Sequence, residues 1–410
     1  MGSTAALALG ACAPDSTLAP TTAAAPSATA SASVTQPGFG VWDRIVSGET
    51  GPGSLYEIYV PTSWNGDVVT VAHGFRDAAS PVDLRDQDGL YATREALGAQ
   101  GFAVAYSSYS ENGFAVKDGA QRTHQLRGLV ASALHRQPAH SYLVGYSLGG
   151  AVALSLAEQY PSQYDGALTV CGMVGGSLLQ TQYLGHVRAL FDAYYPNVLP
   201  GSVLGVPAGY TVNPLQVQGA VVSKLPGLFA IASTQQAPLP FNPAAAVPNL
   251  LESLITGLSF HARGINNIVS LTHGFSPFDN ASTTYSIGTP LLVPPFIPSM
   301  TALQAKIDSL NTNVTRYTID APAANYLAQH FTPTGDLRVP VITVHNQWDP
   351  AVPAFHEAAL QQTVAQAGQS ANLVQRSVPV YGHCKVPVAT ALAAFADLTA
   401  WVTQGSRPQP

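Results

Sequence analysis

Charge is scarce in this sequence. Of 410 residues, 17 are lysine or arginine and 23 are aspartate or glutamate, so 10% are charged and the net charge is −6. Soluble domains usually carry about a quarter. No cluster of lysine and arginine is long enough to make a basic nucleic-acid surface, so no nucleic-acid partner is expected. Long apolar runs are missing too, and no segment past the N-terminus has the length and hydropathy of a membrane-crossing helix. Cysteine is down to Cys12, Cys171 and Cys384. No Cys/His cluster has metal-ligand spacing and no glycine-rich phosphate loop follows a strand, so neither a metal nor a cofactor is expected. No internal repeat is present.

What the chain does have is apolar and small residues. A hydrophobic content of 46% is ample for a full core and excludes global disorder. The low charge suits an exported protein that handles neutral or apolar substrates. The length allows two or three average domains, or one large α/β domain carrying an insertion.

The N-terminus reads as a processing segment. Leu9-Gly10-Ala11-Cys12 is similar to a bacterial lipobox, which implies lipidation of Cys12; the alternative is a small-residue stretch that happens to hold a cysteine. Residues 13–40 are rich in Ala, Ser, Thr and Pro. They lack the large apolar side chains needed to fold, so they are expected to be a disordered tether. A membrane contact is expected only through this anchor, on an exported, monomeric chain that is either surface-bound, periplasmic or secreted.

From Val41 onward strands and helices alternate. "VWDRIVSG", "LYEIYVP" and "DVVTVAHG" read as strands, followed by "GFAVAYSS", "SYLVGYS" and "GALTVCG", with helices near 90–99, 119–135 and after Ser147. The alternation stops near Met173 and resumes with "VPVITVHN", a helix over 354–367, "RSVPVYG" and a last helix near 388–402. Such alternation argues for a mostly parallel sheet with helices on both faces. The 173–337 stretch is too long for a loop. It is read as a cap over the carboxyl ends of the strands, where open α/β sheets bind ligands.

Chemistry concentrates at those strand ends. Gly145-Tyr146-Ser147-Leu148-Gly149 lies between an apolar run and an alanine-rich helix, the context of a nucleophile elbow. A serine hydroxyl needs a base to take its proton and a third group to orient that base. Asp349 in "VHNQWDP" and His383 in "VYGHCK" each stand just past a late strand. His73-Gly74-Phe75 follows the third strand, so the N–H groups of Phe75 and Leu148 are expected to form an oxyanion hole. Tyr146 and Tyr109, next to strand ends, are candidate substrate contacts. Arg76-Asp77 reads as an internal ion pair, and a second "HGF" at 273–275 falls in the cap as a coincidence.

With these residues in the order Ser147, Asp349, His383, the chain resembles the α/β-hydrolase superfamily over about 41–172 and 338–405. The resemblance implies an α/β fold with a mostly parallel eight-stranded sheet, and a cap inserted between the sixth and seventh strands. It also implies a Ser147–His383–Asp349 triad and a serine carboxylic-ester hydrolase acting on a small-molecule or polymer-fragment ester, which the low charge and the apolar 173–337 stretch favour as neutral and hydrophobic or aromatic. A serine peptidase on the same fold and a non-catalytic tethered binding protein are the alternatives. Cys384 directly after His383 is similar to the tannase and feruloyl esterase group, where a cysteine precedes the serine; here Tyr146 stands in that place.

If Cys12 is lipidated, Cys171 and Cys384 remain as an even pair in an oxidising compartment. Both sit at the catalytic end of the sheet, so a Cys171–Cys384 disulfide is expected. Two unrelated buried thiols are the alternative.

Overall fold

The computed structural model describes residues 32–35, 40–86, 89–234, 246–287 and 299–410. Cys12, the 1–12 segment and most of the 13–40 tether lie outside the described residues.

The frame is a nine-stranded sheet in the order β1-β2-β3-β5-β4-β6-β7-β8-β9. Its strands are β1 (Ser33–Thr35), β2 (Trp42–Glu49), β3 (Leu55–Pro61), β4 (Val68–Ala72), β5 (Ala103–Ser107), β6 (Ser141–Tyr146), β7 (Gly166–Val170), β8 (Val341–Trp348) and β9 (Leu373–Tyr381). From β5 through β9 all neighbours run parallel. The β1, β2, β3 end is antiparallel.

Eight of these strands are the ones expected from the sequence; the ninth, β1, is a correction. It falls in the stretch assigned to the tether and pairs Val34 with Val46 and Thr35 with Ile45. All three of its side chains are exposed. An edge strand docks chiefly through backbone groups, here joined by a Ser33 Oγ–Ser47 Oγ hydrogen bond at 2.9 Å, so a composition poor in large apolar residues does not forbid it.

Period-two alternation distributes each strand over two cores. In β6, Tyr142, Val144 and Tyr146 enter the layer that includes Leu97 of α1 (Leu90–Ala99) and Phe395 of α11 (Val388–Gln404). Leu143 faces the opposite layer, with α3 (Leu148–Gln159) and α10 (Phe355–Gln366). The helix α2 (Val116–Leu134) covers the antiparallel end through Leu126 and Val130. Because α3 is Ala- and Gly-rich, it approaches the sheet closely, and Ala151 through Ala157 are all buried.

Between β7 and β8 the described residues form six helices. They are α4 (Ser177–Tyr194), α5 (Pro214–Ser223), α6 (Leu225–Thr234), α7 (Ala246–Leu271), α8 (Met300–Asn313) and α9 (Ala321–Gln329). Most of their apolar side chains form a core of their own, with Leu190, Phe191, Leu258 and Ile307 inside it. The end of α7 and α9 instead contribute Ile268 and Leu327 to the sheet's core. Among the described residues no helix is long and apolar enough to cross a membrane.

Three buried histidines and the half-buried His186 tie these layers to the pH. Burial pushes His73, His186 and His261 down to about 4 and His356 to about 3. Folded, they stay neutral, whereas the unfolded chain takes up protons as pH falls through the ordinary value of 6.5. The unfolded state therefore binds more protons below that value, and stability falls with pH down to about 4. His345, shifted upward, opposes one of the four. The denaturant midpoint should be clearly lower at about pH 5 than at about pH 7.5; an equal or higher midpoint at the acidic pH would contradict the assignment of these neutral states.

Candidate active site

Ser147 joins β6 to α3 with φ 53° and ψ −121°, a backbone conformation that L-residues rarely adopt. Glycines make the turn possible. A Cβ on Gly149 would collide with the backbone oxygens of Ala72 and His73, and one on Gly145 with the Gly149 carbonyl. Ser147 is also stitched down: its N–H donates to Val170 O at 3.1 Å, and its carbonyl accepts from Gly150 and Met173 N–H at 2.9 Å each.

The loops after β8 and β9 bring the other two residues to it. Ser147 Oγ is 2.8 Å from His383 Nε2. His383 Nδ1 lies 2.8 Å from Asp349 Oδ2 and 3.0 Å from Oδ1. With Nδ1–H donating its hydrogen bond to the carboxylate, Nε2 keeps a lone pair facing the serine hydroxyl. Asp349 is fully buried, and its Oδ1 accepts from the N–H groups of Ala351 and Val352 at 2.9 Å each. Burial alone would raise its pKa. The charge and hydrogen bond of His383, followed by His345 and the Val352 N–H, outweigh that and hold it below the ordinary value.

Phe75 and Leu148 line the same small cavity as Ser147, about 30 Å³ in volume. Leu148 opens α3, so the helix offers its N–H no acceptor. The loop that carries Phe75 is set by its neighbours. His73 stacks on Tyr109 with 3.8 Å between ring centroids, and its ring nitrogens lie 2.8 Å from Gly74 O and 3.1 Å from Ser108 O.

Both substrate-contact expectations are corrected. Tyr109 is 1% exposed and donates its hydroxyl to His73 O at 3.0 Å, so it supports the Phe75 loop from beneath and does not line the cavity. Tyr146 turns to the other face of the sheet, where its hydroxyl sits 3.1 Å from Thr93 Oγ1; strand alternation sends the residue before Ser147 away from the cavity. Arg76 and Asp77 do not pair with each other. Arg76 reaches Asp83 and the Arg85 carbonyl, and Asp77 pairs with Arg263 of α7.

The residues that close the cavity were not singled out from the sequence. Phe260, Gly264 and Ile268 on α7 lie over it, and Gln180 on α4 forms part of its wall. The Phe260 ring stands edge-on to His383 at 5.8 Å, and Asn267 Oδ1 accepts the Phe114 N–H at 2.7 Å. Spacing was the available signal, since Phe260, Gly264 and Ile268 fall on one helical face. Gln180 is held at both ends: Nε2 donates to Ala351 O at 2.8 Å, and Oε1 accepts from His356 Nε2 at 2.9 Å.

Cys171 and Cys384 are joined, with 5.2 Å between their Cα atoms. Cys171 follows β7, so the bridge ties the loop bearing His383 to the end of the strand beside β6. Cys171, His383 and Cys384 cluster as three potential metal donors, but both sulfurs are committed to the bridge, which leaves one imidazole and no zinc-type ligand set.

The strand order, the serine at the strand-to-helix elbow and the chain order Ser147, Asp349, His383 together define an α/β-hydrolase fold. No family model matches the chain, and no curated protein matches it. Among solved structures it is similar to feruloyl esterase B from Aspergillus oryzae, at 14% identity over 89% of this chain and 81% of that one, with a TM-score of 0.48. It is similar as well to Candida antarctica lipase A, at 13% identity over 90% and 78% with a TM-score of 0.46. A third is tannin acyl hydrolase from Aspergillus niger, at 15% identity over 89% and 79% with a TM-score of 0.44. At such identities and scores these are likenesses only, and no chemistry is taken from them.

Replacing both Cys171 and Cys384 by serine should lower stability by about 2–4 kcal/mol, the usual contribution of a disulfide that closes a long loop. Denaturant unfolding of the double variant checks this; an unchanged midpoint would mean that the bridge contributes nothing to the folded state.

Proposed function

We propose that the protein is a serine carboxylic-ester hydrolase that works through an acyl-enzyme. The observation that carries this reading is the continuous hydrogen-bonded run from Asp349 through His383 to a serine on a strained elbow, opening on a cavity. Ser147 Oγ attacks the ester carbonyl while His383 Nε2 takes its proton, and the imidazolium then passes that proton to the departing alkoxide. Water repeats the sequence on the acyl-enzyme and releases the acid. Asp349 keeps its charge throughout, orienting the ring and balancing the imidazolium. The N–H groups of Phe75 and Leu148 are assigned to the oxyanion that develops on the carbonyl oxygen.

The 173–337 segment is assigned as the cap. Its α7 face and its α4 side chains supply much of the cavity wall, and that wall is apolar except for Ser147 and Gln180. With both ends of the Gln180 amide engaged, the wall has little to offer a charged or hydroxylated acyl group, which supports a neutral, hydrophobic or aromatic ester. A volume of about 30 Å³ leaves little enclosed room beside Ser147 and supports a short acyl chain. The Cys171–Cys384 bridge supports export to an oxidising compartment.

Ser147→Ala should reduce p-nitrophenyl acetate turnover by about 10⁴-fold or more and abolish labelling by a fluorophosphonate probe, with the thermal midpoint nearly unchanged. Substantial remaining turnover would remove Ser147 from the nucleophile role. Unreacted wild-type protein would favour a non-catalytic binding role, and preference for aminoacyl anilides would favour a peptidase. Across p-nitrophenyl acetate, butyrate and octanoate, kcat/KM should fall by at least about tenfold; a maximum at octanoate would overturn the short-acyl assignment.

A further inference from the structure

Behind the Asp349 loop lies a buried polar pair that the Ser147–His383–Asp349 run does not use. His345, on β8, is 2% exposed. Its Nε2 lies 2.7 Å from Val352 O, and its Nδ1 lies 3.2 Å from Glu357 Oε1. Nε2 therefore faces an oxygen that only accepts, and Nδ1 lies within ion-pair distance of the Glu357 carboxyl without the alignment of a hydrogen bond. A neutral imidazole has one N–H and would turn a lone pair toward one of these oxygens, whereas the doubly protonated ring suits both.

Glu357 is built to be the counter-charge. It stands in the first turn of α10, where the helix dipole favours a carboxylate. It also accepts from Thr343 Oγ1 on β8 and from Gln375 Nε2 on β9. The same unit holds the Asp349 loop. Val352 donates its N–H to Asp349 Oδ1 and receives His345 Nε2 on its carbonyl, and His345 Nε2 lies 4.0 Å from Asp349 Oδ2.

We propose that His345 and Glu357 form a buried ion pair that positions the Asp349 loop and supplies the fixed positive charge that keeps Asp349 ionised while His383 is neutral. The consequence for catalysis rests on the serine-hydrolase reading above. Before His383 takes the serine proton it carries no charge, and a fully buried carboxylate with no cation nearby is driven to protonate. His345 stands in the place such a cation needs.

The charged and titratable groups that face His345 agree with this. Glu357 and His356 come from α10, Asp349 comes from the loop, and β9 offers the neutral Gln375 amide. Burial lowers the pKa of His345, but Glu357 first and Asp349 next outweigh it, so the net direction is upward. His356 accepts the Gly175 N–H on Nδ1 at 3.0 Å and is pushed down to about 3, which leaves it neutral. His345 and Glu357 are thus positioning residues that act through Asp349.

Two measurements on the intact protein test the pair. In ¹⁵N-histidine-labelled protein, one histidine should keep the imidazolium signature at about pH 8, and that signal should vanish in His345→Gln. In the pH profile of kcat/KM on p-nitrophenyl acetate, His345→Gln should lose roughly tenfold, and its acidic limb should move up by about one pH unit. The sign follows because removing a cation raises the proton affinity of the Asp349–His383 unit. Glu357→Gln should lose the imidazolium signal and move the limb less, in the same direction. A neutral His345 in the wild type overturns the proposal, and so does a lowered rate with an unmoved limb, which would mean simple structural damage. If His345→Gln does not fold, the wild-type spectrum and Glu357→Gln decide. Wild-type protein that hydrolyses no ester would defeat the hydrolase reading, while the spectrum would still settle the charge of His345.

Discussion

Everything at the candidate site hangs on how closely α3 can approach the sheet. The turn at Ser147 places a side chain in left-handed backbone space, φ 53°, and it survives because Gly149 packs against the Ala72 and His73 carbonyls with no Cβ between. That single approach sets the height of the serine above the strand ends. It also starts α3 beneath the cavity, with the Leu148 N–H as the first unmatched donor of the helix. Strain of this kind persists only where the surroundings over-determine it. Here the surroundings are the Val170 and Met173 backbone bonds on one side and the apolar packing of α3 on the other.

Much of this was legible in the sequence, for identifiable reasons. Period-two apolar runs bounded by Gly, Pro and Asn located β2 through β9. The elbow glycines, together with one aspartate and one histidine past late strands, located Ser147, Asp349 and His383. These features depend on local chain geometry, which sequence encodes directly. The pairing of Cys171 with Cys384 was accessible because both were placed on one edge of the sheet.

What escaped was non-local. Nothing in "SVT" marks an edge strand, because docking at an edge uses backbone groups that every residue carries. Tyr146 and Tyr109 were read by proximity in sequence, but strand alternation and a positive φ at Tyr109 send their rings into the interior. The partner of Asp77 is Arg263, across the molecule. The wall contributed by Gln180 and Phe260 depends on how α4 and α7 fold back over the strand ends; the spacing of Phe260, Gly264 and Ile268 marks a face of α7 but not what that face covers. His345 read as one more strand residue; its meaning appears only when α10 brings Glu357 against β8.

The two-core construction bears on how such a protein can change over time. The helices α4 to α8 bury most of their apolar side chains among themselves, and the chain leaves the sheet just after Cys171 and returns to it at β8. The bridge to Cys384 joins one side of that exit to the loop bearing His383. The helical segment is therefore a cassette with a core largely its own, tied to the Asp349 loop where Tyr183 donates its hydroxyl to Pro350 O at 2.9 Å. Substitutions inside the cassette core would alter the shape presented to a ligand, whereas substitutions around α3 would alter whether any reaction occurs at all. The shape of the cavity wall and the geometry of the serine elbow thus rest largely on different parts of one chain.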